Sequence, residues 1–223
     1  MVRRRERIRW SAVFEQMVRI GLESLGIVAL ISLLVGLTVA LQSAAQLRQF
    51  GANIFIANLV GVAMTREMGP LMTAVILAGR VGASIAAEIS TMVITEEVDA
   101  LKTMGLHPIR YLVVPRFLAI SLTQPLLTTI SNTLGIVGGL VIAVTYLQLG
   151  PGMFMDQLVN ALSFKDILTG MVKSLSFSWI ILFVGVHRGF RVTGGAEGVG
   201  LATTAAVVQA IFLVIVADAF FSL

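Results

Sequence analysis

Five ionisable residues stand inside or at the edge of long apolar runs: Arg66, Glu67, Arg80, Glu88 and Asp218. A charge in hydrocarbon costs several kcal/mol unless it is paired or hydrated, so such residues face a cavity or the interior of a helix bundle. Arg66 and Glu67 are adjacent and therefore point in different directions on a helix. They stand just before Gly69-Pro70, where a helix loses a backbone donor and is expected to kink or break. That combination suits a polar point in a cavity wall, and Arg66, Glu67, Gly69, Pro70 and Asp218 are the candidate cavity residues. Arg80 and Glu88 share a helical stripe with Ser84, but their backbones would be ~12 Å apart, too far for a simple pair. For these two, pairing with other helices stands equally beside a cavity role.

Other chemistry is poorly provided for. No cysteine is present, which excludes disulfides, thiolate metal sites and cysteine nucleophiles. A phosphate-binding loop needs a Gly-Lys pair, whereas Lys102, Lys165 and Lys173 follow Leu101, Phe164 and Val172. His107 and His187 stand alone in loops and read as ordinary surface histidines. No nucleophile–base pairing stands out. No catalytic residue, metal site or cofactor of its own is therefore assigned to the chain.

The sharpest local pattern is Thr95 to Pro108, TEEVDALKTMGLHP. Thr95 can cap a helix, and Glu96, Glu97 and Asp99 suit its positive N-terminal end. Val98, Leu101 and Met104 give an apolar stripe, Gly105 can take the left-handed closing conformation, and Pro108 prevents continuation. The segment is either an interfacial helix that merely connects two spans or a coupling helix over 95–105, docking on a partner through its acidic and apolar groups. Thr95, Glu96, Glu97, Asp99, Leu101 and Gly105 are the candidate coupling residues.

The elements that hold these residues are membrane spans. The chain is 57% hydrophobic and 13% charged, about half the charged fraction of a soluble domain, with mean hydropathy +0.95. Several runs approach or exceed the ~18–20 apolar residues needed to cross a bilayer. The reading is a single all-α polytopic membrane domain over 1–223, with about five transmembrane helices. The pI near 10.1 does not point to nucleic acid, because the basic residues sit beside apolar segments, where anionic lipid and the positive-inside rule account for them.

In chain order, residues 3–20 combine arginines with a stripe of Trp10, Val13, Phe14, Met17 and Val18, the pattern of an interfacial helix. Leu22 to Leu41 is the first span. Ile54 to Ala87 is overlong for one straight helix, roughly 50 Å against a ~30 Å core, so a broken or strongly tilted element is expected. Tyr111 to Leu149 could be one span or a hairpin. The positive-inside rule favours one, with the N-terminus in the cytoplasm. A short interfacial helix is expected within 150–164, and further spans over Ile167 to Val186 and Val199 to Phe221. Gly79, Ala83 and Ala87, with Gly82 and Ala86 on an adjoining face, form a small-residue series for close helix packing.

GPLMTAVILAGRVGASIAAE followed by TEEVDALKTMGLHPIRYLVVPR, and GGAEGVGLATTAAVV with Asp218, closely resemble the MlaE-type permease family of ABC lipid transporters. The likeness is dense over 66–116 and again over 195–218. It departs at Ile89-Ser90, where relatives often carry glycine, and at Leu201 and Ala205, where they are commonly basic. The resemblance implies a homodimeric permease, without its own ATPase site, bound to cytoplasmic ABC ATPase subunits that hold the ATP and to an MCE-domain lipid-binding protein. Such complexes move phospholipids or related lipids between a bacterial inner membrane and the cell envelope, the plastid inner envelope being the alternative setting. The segment matching Thr95–Gly105 would contact the ATPase, and the break matching Arg66-Glu67 would lie near the lipid cavity. A permease importing a small polar solute is the competing function. It should line its pathway with more polar groups than these spans offer.

Overall fold

A computed structural model describes residues 9–222. Among the described residues there is no strand, and five helices are long and apolar enough to cross a membrane. We number the helices α1 (Trp10–Gln49), α2 (Asn53–Ile94), α3 (Glu97–Thr103), α4 (Ile109–Thr145), α5 (Pro151–Ala161), α6 (Phe164–Phe190) and α7 (Gly195–Phe221). The all-α membrane architecture expected from hydropathy is present.

Three boundaries differ from expectation or resolve an alternative. The arginine-rich stretch and the first span do not form two elements: Trp10 to Gln49 is one helix of 40 residues. No proline falls within it, and nothing else removes a backbone donor where the interfacial stripe gives way to the span. The expected interfacial helix over 3–20 lies partly outside the described residues, at positions 3–8. Next, Pro70 does not break α2. A π turn over Met64–Met68 widens the helix just before it, and the Gly69 amide reaches back five residues to the Met64 carbonyl. The wide turn absorbs the missing proline donor and the ring, so the helix continues to Ile94. A second π turn spans Ala78–Gly82 and contains Arg80. Finally, Ile109 to Thr145 is a single span rather than a hairpin, with Pro125 inside it.

The helices contribute to two compact units. The first comprises the chain up to Ser24, Leu77–Thr123 and Ser178–Leu213. Its small residues let backbones touch, though not through every position of the expected series. Gly79 faces open space, whereas Gly82 and Ala86 meet Gly185 and Gly189 of α6: a Cβ on Gly185 would stand 3.0 Å from the Gly82 carbonyl oxygen. Close approach of this kind needs small residues on both helices.

The second unit comprises Leu25–Ile76, Gln124–Phe177 and Val214–Leu223. Its core gathers Ala40, Ala44, Ile56, Ala57, Val60, Met64, Ile142, Ala143, Phe154 and Leu158. A short helix, α5, is present within 150–164, and its Phe154 and Leu158 are buried in that core. In this unit α1 and α4 cross at contact distance, because a Cβ on Gly36 would lie 2.0 Å from the Gly135 carbonyl oxygen.

Candidate functional site

The Met64–Met68 π turn directs Arg66 and Glu67 to different neighbours, as adjacency requires. Arg66 lies 3.6 Å from Asp166 at the start of α6. Glu67 reaches Lys173 of the same helix, whose side chain is 0% exposed. Lys173 Nζ also donates to Asp218 Oδ1 at 2.9 Å and to Ser222 Oγ at 3.0 Å. An ammonium has three N–H donors, and all three are engaged. Ser222 in turn donates to the Asp218 backbone carbonyl at 2.9 Å. The cluster joins α2, α6 and the end of α7, with one cation against two carboxylates.

Backbone proximity makes this reach possible. Gly170 stands one turn before Lys173, and a Cβ there would lie 2.2 Å from the Thr65 carbonyl oxygen and 3.5 Å from Pro70. The absence of a side chain at position 170 brings α6 against α2 at the level of Glu67. Gly69 and Pro70 are both buried. Gly69 packs on Asn132 of α4, where a Cβ would fall 1.7 Å from Oδ1. These two residues thus fix helix spacing beside the cluster, while Glu67 and Asp218 supply its charge. Buried ions are retained only where geometry satisfies them, and here the lysine is fully satisfied while Glu67 keeps partial exposure.

Glu67 and Asp218 are among the expected cavity residues, whereas Lys173, which follows Val172 and so fits no phosphate-binding loop, is not. The signal for it was available. A lysine amid Ile167 to Val186 is itself an intramembrane charge, and the rule that singled out Arg80 and Glu88 applies to it equally. Ser222 carried no such signal.

Arg80 and Glu88 do not pair with each other, in keeping with their spacing. Arg80 pairs with Glu23 and donates to Ser24 Oγ at 3.1 Å, both on α1. Glu88 accepts from Arg116 of α4 at 2.7 Å, from Arg19 of α1 and from Ser84 at 3.2 Å. Both charges are thus partnered by neighbouring helices within the first unit.

The segment after α2 is a helix, but one shorter than 95–105. Glu96, with φ +61, occupies the N-cap position, and no side chain caps the first turn. Thr95 instead closes α2: its hydroxyl meets the Thr91 carbonyl at 2.9 Å and Glu97 Oε1 at 3.1 Å. The expected N-terminal cap is therefore corrected to a C-terminal one. Threonine bonds as readily back to the residue four before it as forward to a helix start. Gly105 takes φ +76 and ends the helix as expected, with the Leu106 amide returning to the Leu101 carbonyl at 2.9 Å. Val98 and Leu101 are buried against Leu112, with Met92, Val93 and Phe190 packed around them. Met104 does not complete that stripe. It is 65% exposed, because the helix stops at Thr103. Glu96, Glu97 and Asp99 all face outward, and Asp99 holds Lys102 at 2.7 Å.

Five helices long and apolar enough to cross a membrane, with an ion cluster among them and an outward-facing acidic helix, define a multi-pass membrane protein. The model of the family described as Permease MlaE matches residues 13–223. A probable ABC transporter permease protein of Rickettsia typhi is 39% identical over 208 residues, covering 93% of this chain and 80% of its own. A probable ABC transporter permease protein of Synechocystis is 39% identical over 216 residues, covering 97% of this chain and 82% of its own. The chloroplastic protein trigalactosyldiacylglycerol 1 of Arabidopsis thaliana is 35% identical over 212 residues, 95% of this chain and 61% of that protein. The chain belongs to the MlaE permease family. It is an ABC transporter permease, a membrane subunit that works with an ATPase.

Proposed function

We propose that this permease moves phospholipids or related lipids between the inner membrane and the cell envelope. The observation that carries the reading is the Glu67–Lys173–Asp218–Ser222 cluster, a compact polar point in otherwise apolar spans. A single polar locus surrounded by hydrocarbon suits an amphiphile with one headgroup, whereas a polar solute needs hydrogen-bonding groups along its whole path. Family membership and the chloroplastic relative support the same substrate class.

In this reading Arg66, Glu67 and Asp218 mark the headgroup end of a lipid cavity completed by a second copy of the chain. The exposed acids of α3 receive the ATPase. An MCE-domain protein takes or delivers lipid on the opposite side. The N-terminus lies in the cytoplasm, with the membrane a bacterial inner membrane. ATP is bound by the partner and not by this chain, and α2 carries Glu67 and ends directly before the ATPase-facing helix.

Mass spectrometry of molecules bound to the complex purified from membranes tests the substrate class. Phospholipid well above the detergent background is the expected result. A stoichiometric polar solute with no lipid enrichment would instead establish a small-solute permease.

A further inference from the structure

A second charged locus lies in the first unit, apart from the residues assigned to transport or coupling. Helices α1 and α2 enclose a pocket of about 170 Å³ whose polar wall is Gln16, Arg19, Glu23, Arg80, Ser84 and Glu88. Its floor is apolar and buried, formed by Ile20, Val81 and Ile85. Two ion pairs cross it, Arg19 with Glu88 and Arg80 with Glu23. The pocket wall therefore carries two cations and two anions. On α1 the two pairs are one helical turn apart, ~6 Å.

Three features point to a ligand rather than to helix pairing alone. The side chains of Arg19 and Glu23 are 50% and 55% exposed, so these charges are presented outward instead of being sealed between helices. Each arginine has five N–H donors, of which Arg19 uses Nη1 and Arg80 uses Nη1 and Nη2 in the contacts described. Glu23 Oε1 likewise keeps acceptor capacity, since Arg80 engages Oε2. Around them on α1 stand Phe14, Val18 and Leu22, all bare large apolar side chains. A membrane-spanning helix presents such residues to acyl chains.

The pocket also lies toward the end of α2. Glu88 is six residues from the end of α2 at Ile94, so roughly 9 Å along the helix axis. Arginine side chains near the end of a span extend to the interface, where anionic phosphate is plentiful.

We propose that this pocket binds the zwitterionic headgroup of a phospholipid with a primary ammonium, of the phosphatidylethanolamine class. The phosphate lies on the free donors of Arg19 and Arg80, and the ammonium lies on Glu23, since Arg116, Arg19 and Ser84 already engage both oxygens of Glu88. The acyl chains run along the Phe14–Val18–Leu22 face. Glu23 Oε1 stands beside the arginine donors, so the pocket offers an ammonium seat that a headgroup without an amine leaves empty. The site is independent of what is transported.

The test uses the purified full chain in detergent, with native mass spectrometry following binding of dioctanoyl phosphatidylethanolamine. Parallel titrations use dioctanoyl phosphatidylglycerol, dioctanoylglycerol and inorganic phosphate. The native protein is expected to prefer phosphatidylethanolamine, to ignore dioctanoylglycerol, and to retain its lipid in inorganic phosphate at matched concentration. Arg80→Gln is expected to weaken binding of both phospholipids about tenfold, and Glu23→Gln to remove the preference between them. If Arg80→Gln does not fold, Gln16→Trp, which adds bulk to the pocket wall while keeping every member of both ion pairs, is expected to give the same loss. Equal binding of dioctanoylglycerol, displacement by inorganic phosphate, or unchanged binding in the folded variants would overturn the assignment. If mass spectrometry of the complex shows no transported lipid, phosphatidylethanolamine is still expected here, so the two readings fail separately.

Discussion

Replacing Lys173 with methionine is expected to lower the stability of the permease by about 3 kcal/mol, toward the lower end of the range for removing one partner of a buried ion pair. Lys173 is fully buried and holds Glu67, Asp218 and Ser222 at once. Removing it leaves two carboxylates close together in an apolar setting with no cation. Glu67 keeps 30% of its side-chain surface exposed and Asp218 keeps 16%, so water relieves part of the cost. In a thermal unfolding experiment on the detergent-purified protein, the midpoint should fall by roughly 10 °C. The triple variant Lys173→Met, Glu67→Gln, Asp218→Asn should recover most of that loss, because amides and a thioether carry no charge to bury. If the triple variant also regains lipid transport, the cluster is structural and has no part in substrate handling. If it folds stably and transport is absent, the cluster's charge serves the headgroup.

The second large effect concerns α3. Changing Glu97 and Asp99 to lysine is expected to weaken association with the ATPase at least ~100-fold, since like-charge contacts at an interface cost several kcal/mol. Both side chains are exposed, and Val98 and Leu101 beneath them are untouched, so the helix itself should survive. The local cost is small: an exposed Asp99–Lys102 pair contributes ~1 kcal/mol or less, and loss of acids from the first turn costs a similar amount. Co-purification of the ATPase with the permease reads the result directly. Undiminished co-purification, with the permease inserted in the membrane, would show that α3 merely connects two spans.

The helical architecture was legible because crossing a bilayer demands long apolar runs, and the chain contains them. What it did not expose was how a helix copes with a local insult. Pro70 announces a missing donor, but only the fold shows the π turn over Met64–Met68 that accommodates it. The run from Trp10 to Gln49 contains both an interfacial pattern and a span, and hydropathy separates them although the backbone does not.

The candidate sites divide along the same line. Gly105 could be assigned from residue type alone, since a positive φ at a helix end selects glycine. Thr95 could not, because a threonine between two helices can serve either one. Met104 fits the spacing of Val98 and Leu101, but it stands just past the end of the short helix. Lys173 finds its partners 106 and 45 residues away, and no spacing rule links Glu67, Lys173 and Asp218. A lone intramembrane lysine says that partners exist, and only packing says which they are. The same holds for Arg80 and Glu88, whose partners on α1 and α4 no helical stripe could indicate.

In the proposed function, ATP hydrolysis in a partner drives lipid through this chain. The most direct measurement reconstitutes the permease and its ATPase in phospholipid vesicles and follows labelled phospholipid moving to or from an acceptor protein on the far side. The expected result is lipid movement that requires ATP and is lost when Glu97 and Asp99 are lysine. ATP hydrolysis stimulated by the permease, with uptake of a polar solute and no lipid movement, would contradict it.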